Sequence, residues 1–216
     1  MIEHVYERAR RAPGIARTVV LTDDRRIFDA VEAFGGSVEM TPAECASGTD
    51  RIAYAAKHWD AAAVVNVQGD EPLIDPEAVG LVAQHLLDHP EVPMVTLAVP
   101  AEAEERNDPN AVKVVMDREG YALYFSRSRI PYPRHPESEI GRTPLKHIGL
   151  YGYQRQTLLD LASLPTTPLE EAEALEQLRA LENGIRIRVL VTSRPSPGVD
   201  TRADLERVER LLQSGE

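Results

Sequence analysis

A chain of 216 residues is long enough to bury a sizeable core and is best read as one α/β domain. Its net charge of −11 repels phosphate at long range, which argues against a nucleic-acid scaffold or a polybasic membrane binder and leaves any anionic ligand to be held by local groups. The single cysteine, Cys45, allows no intramolecular disulfide and reads as a small buried hydrophobe. No apolar run reaches the roughly 18 residues that span a bilayer, and no secretory pattern opens the chain, so the expectation is a cytoplasmic protein without membrane insertion.

Taken in order, residues 2–11 predict a helix, with Ile2, Val5, Tyr6 and Ala9 at three- and four-residue spacing and Pro13-Gly14 as its stop. Residues 18–21 predict a buried strand, and Ile27, Ala30, Val31 and Phe34 mark a helix stopped by Gly35-Gly36. Residues 37–40 predict a second short strand. Strand, helix and strand in this order point to a parallel sheet covered on both faces. Ser47-Gly48-Thr49-Asp50-Arg51 then precedes a helical run over 52–58. Such a polar turn either caps the helix or offers its N–H groups to a base or phosphate.

Residues 64–72, Val-Val-Asn-Val-Gln-Gly-Asp-Glu-Pro, organise the chain: a β-branched run stops at a glycine, two carboxylates and a proline. This reads as a strand of a parallel sheet delivering acids to its carboxyl-terminal edge, where α/β sheets bind ligands. Asp70 is there a candidate ligand for a magnesium ion shared with a phosphorylated substrate, since magnesium takes one or two protein carboxylates and fills its other positions with phosphate and water. Alternatively, Asp70 and Glu71 cap the helix that Pro76 starts after Asp75.

Ala78, Val79, Val82, Leu86 and Leu87 define that helix, and residues 94–99 a buried strand. A polar loop over 102–110 leads to two period-two segments, 112–116 and 121–125, joined by Asp117-Arg118-Glu119-Gly120, which predicts an antiparallel hairpin inserted into the sheet. Residues 130–144 form a proline-rich loop suited to binding or subunit contacts. In the strand over 146–153, His147, Gly149, Tyr151 and Tyr153 share one face, a row of hydrogen-bonding groups with room for a polyol. Pro168 to Leu181 predicts one long helix with Leu175, Leu178 and Leu181 on its apolar stripe and Asn183-Gly184 as its stop. Residues 185–191 alternate apolar side chains with Arg186 and Arg188, as in a half-exposed strand or a subunit interface. Asp200 sits ahead of a final amphipathic helix over 203–212, which it could simply cap.

Residues 47–51, 66–72, 110–115, 121–127 with Ile130-Pro131, 147–153, 168–179 and 198–201 together resemble the 3-deoxy-manno-octulosonate cytidylyltransferases, or CMP-Kdo synthetases. The His-Ile-Gly-Leu-Tyr-Gly-Tyr run and the Pro-Leu-Glu to Leu-Glu-Gln-Leu-Arg run carry most of that resemblance. It implies a Rossmann-like nucleotidyltransferase fold, that of the nucleotide-diphospho-sugar transferases, mainly a parallel sheet flanked by helices with an inserted antiparallel element at about residues 110–153. It further implies transfer of CMP from CTP to the anomeric hydroxyl of Kdo, with release of pyrophosphate, in lipopolysaccharide synthesis. By the same resemblance Asp70 and Asp200 hold Mg2+ and are catalytic. Ser47, Gly48, Thr49 and Arg51 lie around the nucleotide, and Gln68, Arg127, His147, Tyr151, Glu176 and Gln177 line the sugar pocket. Lys113 neutralises phosphate, and the inserted region builds a homodimer.

Members of this family open with a β-strand and a Pro-Ala-Arg…Arg-Leu-Pro-Gly-Lys-Pro loop that wraps the triphosphate. Here Met1-Ile2-Glu3-His4 matches the residues that follow that loop. The resemblance therefore predicts little turnover from residues 1–216 alone and full turnover once the upstream segment is restored. A cytidylyltransferase for a related sugar acid, and a homologue that binds without transferring, remain as alternative readings.

Overall fold

The computed structural model describes residues 1–135, 144–193, 198–199 and 202–214. Its frame is a six-stranded sheet formed by β3 (Ala63–Asn66), β4 (Met94–Pro100), β5 (Lys113–Met116), β6 (Ala122–Ser126), β7 (Leu145–Gln154) and β8 (Ile187–Val191). The strands follow the order β6, β5, β7, β4, β8, with β3 also paired to β7. Pairing fixes the directions: β3, β4, β5 and β8 run one way, β6 and β7 the other. This is the α/β sheet flanked by helices that the pattern implies, with the hairpin β5–β6 set into it, but the expectation of a mainly parallel sheet is corrected: among the described strands of this sheet β4 and β8 alone pair in parallel, because β7 runs against each of its neighbours.

β7 is the spine. One edge pairs with β4 along most of its length, and the other takes β5 at Leu145 and Lys146 and β3 at residues 151–154. The strand read as a member of a parallel row, β3, is therefore antiparallel to its partner in this sheet, and it alternates buried with half-buried residues. Its apolar run reports burial, and burial alone does not choose a neighbour's direction.

Helices cover both faces. On one, α4 (Pro76–Asp88) lays Val79, Val82 and Leu86 against Val95, Leu97, Ile148 and Leu150. Gly152 makes this approach possible, because a Cβ there would lie 2.4 Å from Val82 and 2.6 Å from Leu86. On the other face, α3 (Gly48–Ala56), α5 (Arg155–Ser163) and the pair α6 (Pro168–Glu173) and α7 (Gln177–Glu182) enclose Met94, Ala98, Phe125 and Tyr153.

The long helix expected from Pro168 onward is broken. Ala174 takes a left-handed conformation, φ 50° and ψ 51°, and Leu175 turns into the core between α6 and α7. No glycine or proline announces the break. A buried ion pair spans it instead: the Arg179 guanidinium donates to both Glu170 oxygens at 2.8 and 2.5 Å. Burial alone would raise the Glu170 carboxyl, but the Arg179 hydrogen bonds and charge outweigh it and hold the group below its usual range.

The first two strands stand apart. β1 (Val20–Thr22) and β2 (Val38–Met40) pair in parallel as their own two-stranded sheet, with α2 (Arg25–Ala33) between them in sequence. The segment 18–21, expected to be buried, is only half-buried, because among the described residues β1 finds a neighbour on one edge only. α1 (Ile2–Arg10) joins the two sheets. The Ser37 N–H donates to the Tyr6 hydroxyl at 3.1 Å on one side, and Arg8 reaches the Ile74 carbonyl at 3.5 Å on the other. Cys45, expected in the core, is half-buried in the loop before α3. The last element, α8 (Arg202–Ser214), buries Val208.

Candidate active site

Ser47 ends the loop after β2 and caps α3, its Oγ accepting from the Asp50 N–H at 3.1 Å. The helix thus begins at Gly48, four residues earlier than the run over 52–58 suggests, and the polar turn is its first turn. The Ser47 hydroxyl then donates to Glu176 Oε1 at 2.8 Å, and the Thr49 hydroxyl donates to Glu176 Oε2 at 2.9 Å. Glu176 can make both contacts because the break after α6 swings it out to cap α7. One carboxylate therefore joins the residues expected around the nucleotide to those expected around the sugar.

Behind Glu176 runs the face of β7. His147, Tyr151 and Tyr153 line up along it, with ring centroids 5.2 Å apart for the first pair and 6.2 Å for the second, and Phe125 meets His147 edge-on at 5.1 Å. Burial and the neighbouring charge of Glu176 push the Tyr153 phenol up, against hydrogen bonds with Thr49 and Asn66 that pull it down. Burial, then Tyr153 and Glu176, push Tyr151 well above its ordinary value. Both phenols are therefore neutral donors at working pH. His147 keeps partial exposure, yet its withdrawal from bulk water pushes it down to about 3, so it too is neutral.

Two polar atoms in this region are buried and lack a protein partner: the Tyr151 hydroxyl and Gln177 Nε2. Buried orphans of this kind are costly unless something binds them, at about 1–3 kcal/mol each. A ligand rich in hydroxyl groups would satisfy a phenol, an amide and a carboxylate at once.

Gln68 and Asp70 lie in the turn between β3 and α4, with Asp70 exposed. Two contacts tie that turn to the site. Glu71 Oε1 packs 3.7 Å from where a Cβ on Gly149 would sit, placing the turn over β7 beside His147 and Tyr151. The Val199 N–H donates to the Asp70 carbonyl at 2.9 Å. Asp200, the other expected metal ligand and the next residue in sequence, lies outside the described residues, as do residues 136–143 of the proline-rich loop. Among the described residues no three acidic, histidine or cysteine side chains cluster as a metal cage. The oxygen donors present suit a magnesium ion held by one or two carboxylates with the remainder from substrate.

Arg51 turns away from Glu176, donating to the Thr41 hydroxyl and pairing with Asp23 at 3.2 Å, and so clips the ends of β1 and β2 to α3. Arg127 straps β6 to the break after α6, with Nε, Nη1 and Nη2 donating to the carbonyls of Glu173, Pro109 and Ala174 at 2.7, 3.1 and 3.3 Å. Its other N–H groups remain for a carboxylate. Lys113 corrects the expectation of a phosphate contact. It is wholly buried, its ammonium donating to the carbonyls of Asp108 at 2.7 Å and Arg127 at 2.5 Å, and burial lowers its pKa.

Asn66 and Thr96 were not singled out from the sequence as site residues. Thr96 had a signal, being the one hydroxyl in the otherwise apolar strand over 94–99. Asn66 had one too, as a buried amide in a β-branched run.

An α/β sheet flanked by helices, with Asp70 exposed in the turn beyond β3 and polar groups gathered beside the first turn of α3, agrees with a nucleotidyltransferase of Rossmann-like fold. The family profile described as Cytidylyltransferase matches residues 1–187, and the chain belongs to that family. It is 52% identical over 220 residues to the 3-deoxy-manno-octulosonate cytidylyltransferase of Syntrophotalea carbinolica, covering 99% of this chain and 88% of that protein. The enzyme of the same name from Solibacter usitatus is 51% identical over 216 residues, covering 99% and 84%. A solved structure of CMP:2-keto-3-deoxy-manno-octonic acid synthetase complexed with CTP superimposes with a TM-score of 0.94 at 44% identity, over 100% of this chain and 88% of that one.

Proposed function

We propose that the protein transfers CMP from CTP to the anomeric hydroxyl of 3-deoxy-manno-octulosonate (Kdo), releasing pyrophosphate and supplying an activated sugar acid for lipopolysaccharide synthesis. The observation that carries the sugar half is the buried, unpartnered pair of Tyr151 hydroxyl and Gln177 Nε2. A polyol acid fits that set, with the remaining donors of Arg127 available to its carboxylate. Relatives named for this activity, covered over nearly the whole of this chain, carry the nucleotide half.

In the reaction the sugar's anomeric oxygen forms a bond to the α-phosphorus, the bond to the β-phosphate's bridging oxygen breaks, and pyrophosphate leaves with the electron pair while the hydroxyl proton passes to water. Asp70, with Asp200, would hold a magnesium ion that supplies charge neutralisation at the phosphate and acidifies the attacking hydroxyl. The residues of this chain do the rest. Ser47, Gly48 and Thr49 offer the first turn of α3 to the nucleotide. Glu176, paired with Ser47 and Thr49, sets the nucleotide and sugar sides in fixed relation. His147, Tyr151, Gln68 and Gln177 orient the sugar hydroxyls. The protein works in this reading as a cytoplasmic homodimer, with residues 110–153, Arg186 and Arg188 at the contact between copies.

The test is pyrophosphate release from CTP by the protein. Release that depends on Kdo and on Mg2+ supports the reading. Equal turnover of N-acetylneuraminate transfers the activity to another sugar acid, and no release with any sugar acid defeats it.

A further inference from the structure

Strand β7 carries an irregularity opposite Thr96. Thr96 faces Tyr151 and the next residue, Leu97, faces Ile148, so Gly149 and Leu150 stand as extra residues on β7. A bulge of this kind leaves main-chain groups without ladder partners. Thr96 fills it: its hydroxyl lies 2.9 Å from the Leu150 carbonyl, 3.2 Å from the Ile148 carbonyl and 2.9 Å from His147 Nε2, and the residue is fully buried.

The hydrogen-bond geometry then sets the histidine. Thr96 directs its one proton to the Leu150 and Ile148 carbonyls. With the proton so placed, Thr96 accepts from His147, and Nε2 carries the hydrogen. The other ring nitrogen, Nδ1, has no hydrogen-bond partner among the described residues. Burial keeps the ring neutral.

We propose that Thr96 is a positioning residue that locks His147 as the neutral Nε2–H tautomer, so that Nδ1 presents a bare lone pair to the ligand and selects a hydroxyl donor at that point. Resting on the reading of this face as the sugar pocket, the lock makes His147 a reader of a sugar O–H and a poor partner for a carboxylate or phosphate oxygen. It also explains a hydroxyl in a strand that is otherwise apolar: a valine of the same shape would fill the space but leave His147 undirected and two carbonyls unpaired.

The experiment is nitrogen-15 NMR of the His147 ring in the full chain, in the wild type, Thr96→Val and Thr96→Ser, together with calorimetric titration of Kdo and of CTP. A wild-type ring that is a single Nε2–H tautomer and stays unprotonated to pH 5 is expected. Thr96→Val should mix the tautomers and weaken Kdo binding at least tenfold while CTP binding changes less than twofold, and Thr96→Ser should restore both. An Nδ1–H or protonated ring in the wild type, a tautomer unchanged in Thr96→Val, or equal losses for Kdo and CTP would each overturn the proposal. Thermal melts separate misfolding from the effect, because Thr96→Ser keeps the hydroxyl. A wild type that binds no Kdo defeats the sugar reading instead, and the NMR result still judges the lock.

Discussion

The six-stranded sheet and the β1–β2 pair solve the same problem to different degrees. In the larger sheet β7 is paired on both edges and sandwiched between two apolar layers, and its polar row of His147, Tyr151 and Tyr153 is set by packing. In the smaller one both strands are half-buried, and polar contacts do the holding: Arg51 with Asp23 and Thr41, and Tyr6 with Ser37. The polar row on β7, the proposed sugar side, is thus preorganised by the core, whereas β1 and β2 are tethered at their ends.

The largest effect should fall at the turn that follows β3 of the larger sheet. Asp70→Asn is expected to lower turnover by about a hundredfold or more, through loss of metal-borne charge stabilisation, with an unchanged melting temperature. Steady-state kinetics check this, and near-normal rates would remove Asp70 from the proposed metal site. Next, Glu170→Gln leaves Arg179 buried without its partner across the α6–α7 break and should cost about 3 kcal/mol, read from the shift in urea midpoint.

A pH effect comes third. His147 sits at about 3 in the folded protein against 6.5 for an unperturbed imidazole, so between those values the unfolded chain binds the extra proton. Above pH 6.5 the group carries no penalty, and stability is lost as pH falls towards 3. Relative to His147→Gln, the wild type should lose about 2 kcal/mol between pH 7 and pH 5 in paired denaturation curves. The smallest effect belongs to the tethered sheet. Arg51→Ala is expected to change global stability by less than about 1 kcal/mol, while amide exchange in β1 and β2 quickens roughly tenfold and β7 stays protected. Equal acceleration in both sheets would erase the contrast between them.

Much of this was legible in the sequence, and what was not has a physical reason. Helix α4 and the hairpin β5–β6 follow from periodicity and turn residues, as does the half-exposed β8. The direction of β3 was not, because its partner β7 lies far along the chain and apolar composition is the same for either direction. Nor was the break at Ala174, where no residue favours a left-handed turn and the Arg179–Glu170 pair with buried Leu175 imposes one. That break is what delivers Glu176 to Ser47 and Thr49, a junction that no local pattern in the sequence announces. Lys113 shows the converse: a cation that looks available for phosphate is spent inside the hairpin.

If the β7 face beside α7 receives the sugar acid, a crystal structure of the protein with Kdo bound will show it there. The sugar is expected on that face, with the Tyr151 hydroxyl and Gln177 Nε2 each within about 2.7–3.2 Å of a sugar oxygen. Kdo seated elsewhere, with both atoms still unpartnered, would contradict it.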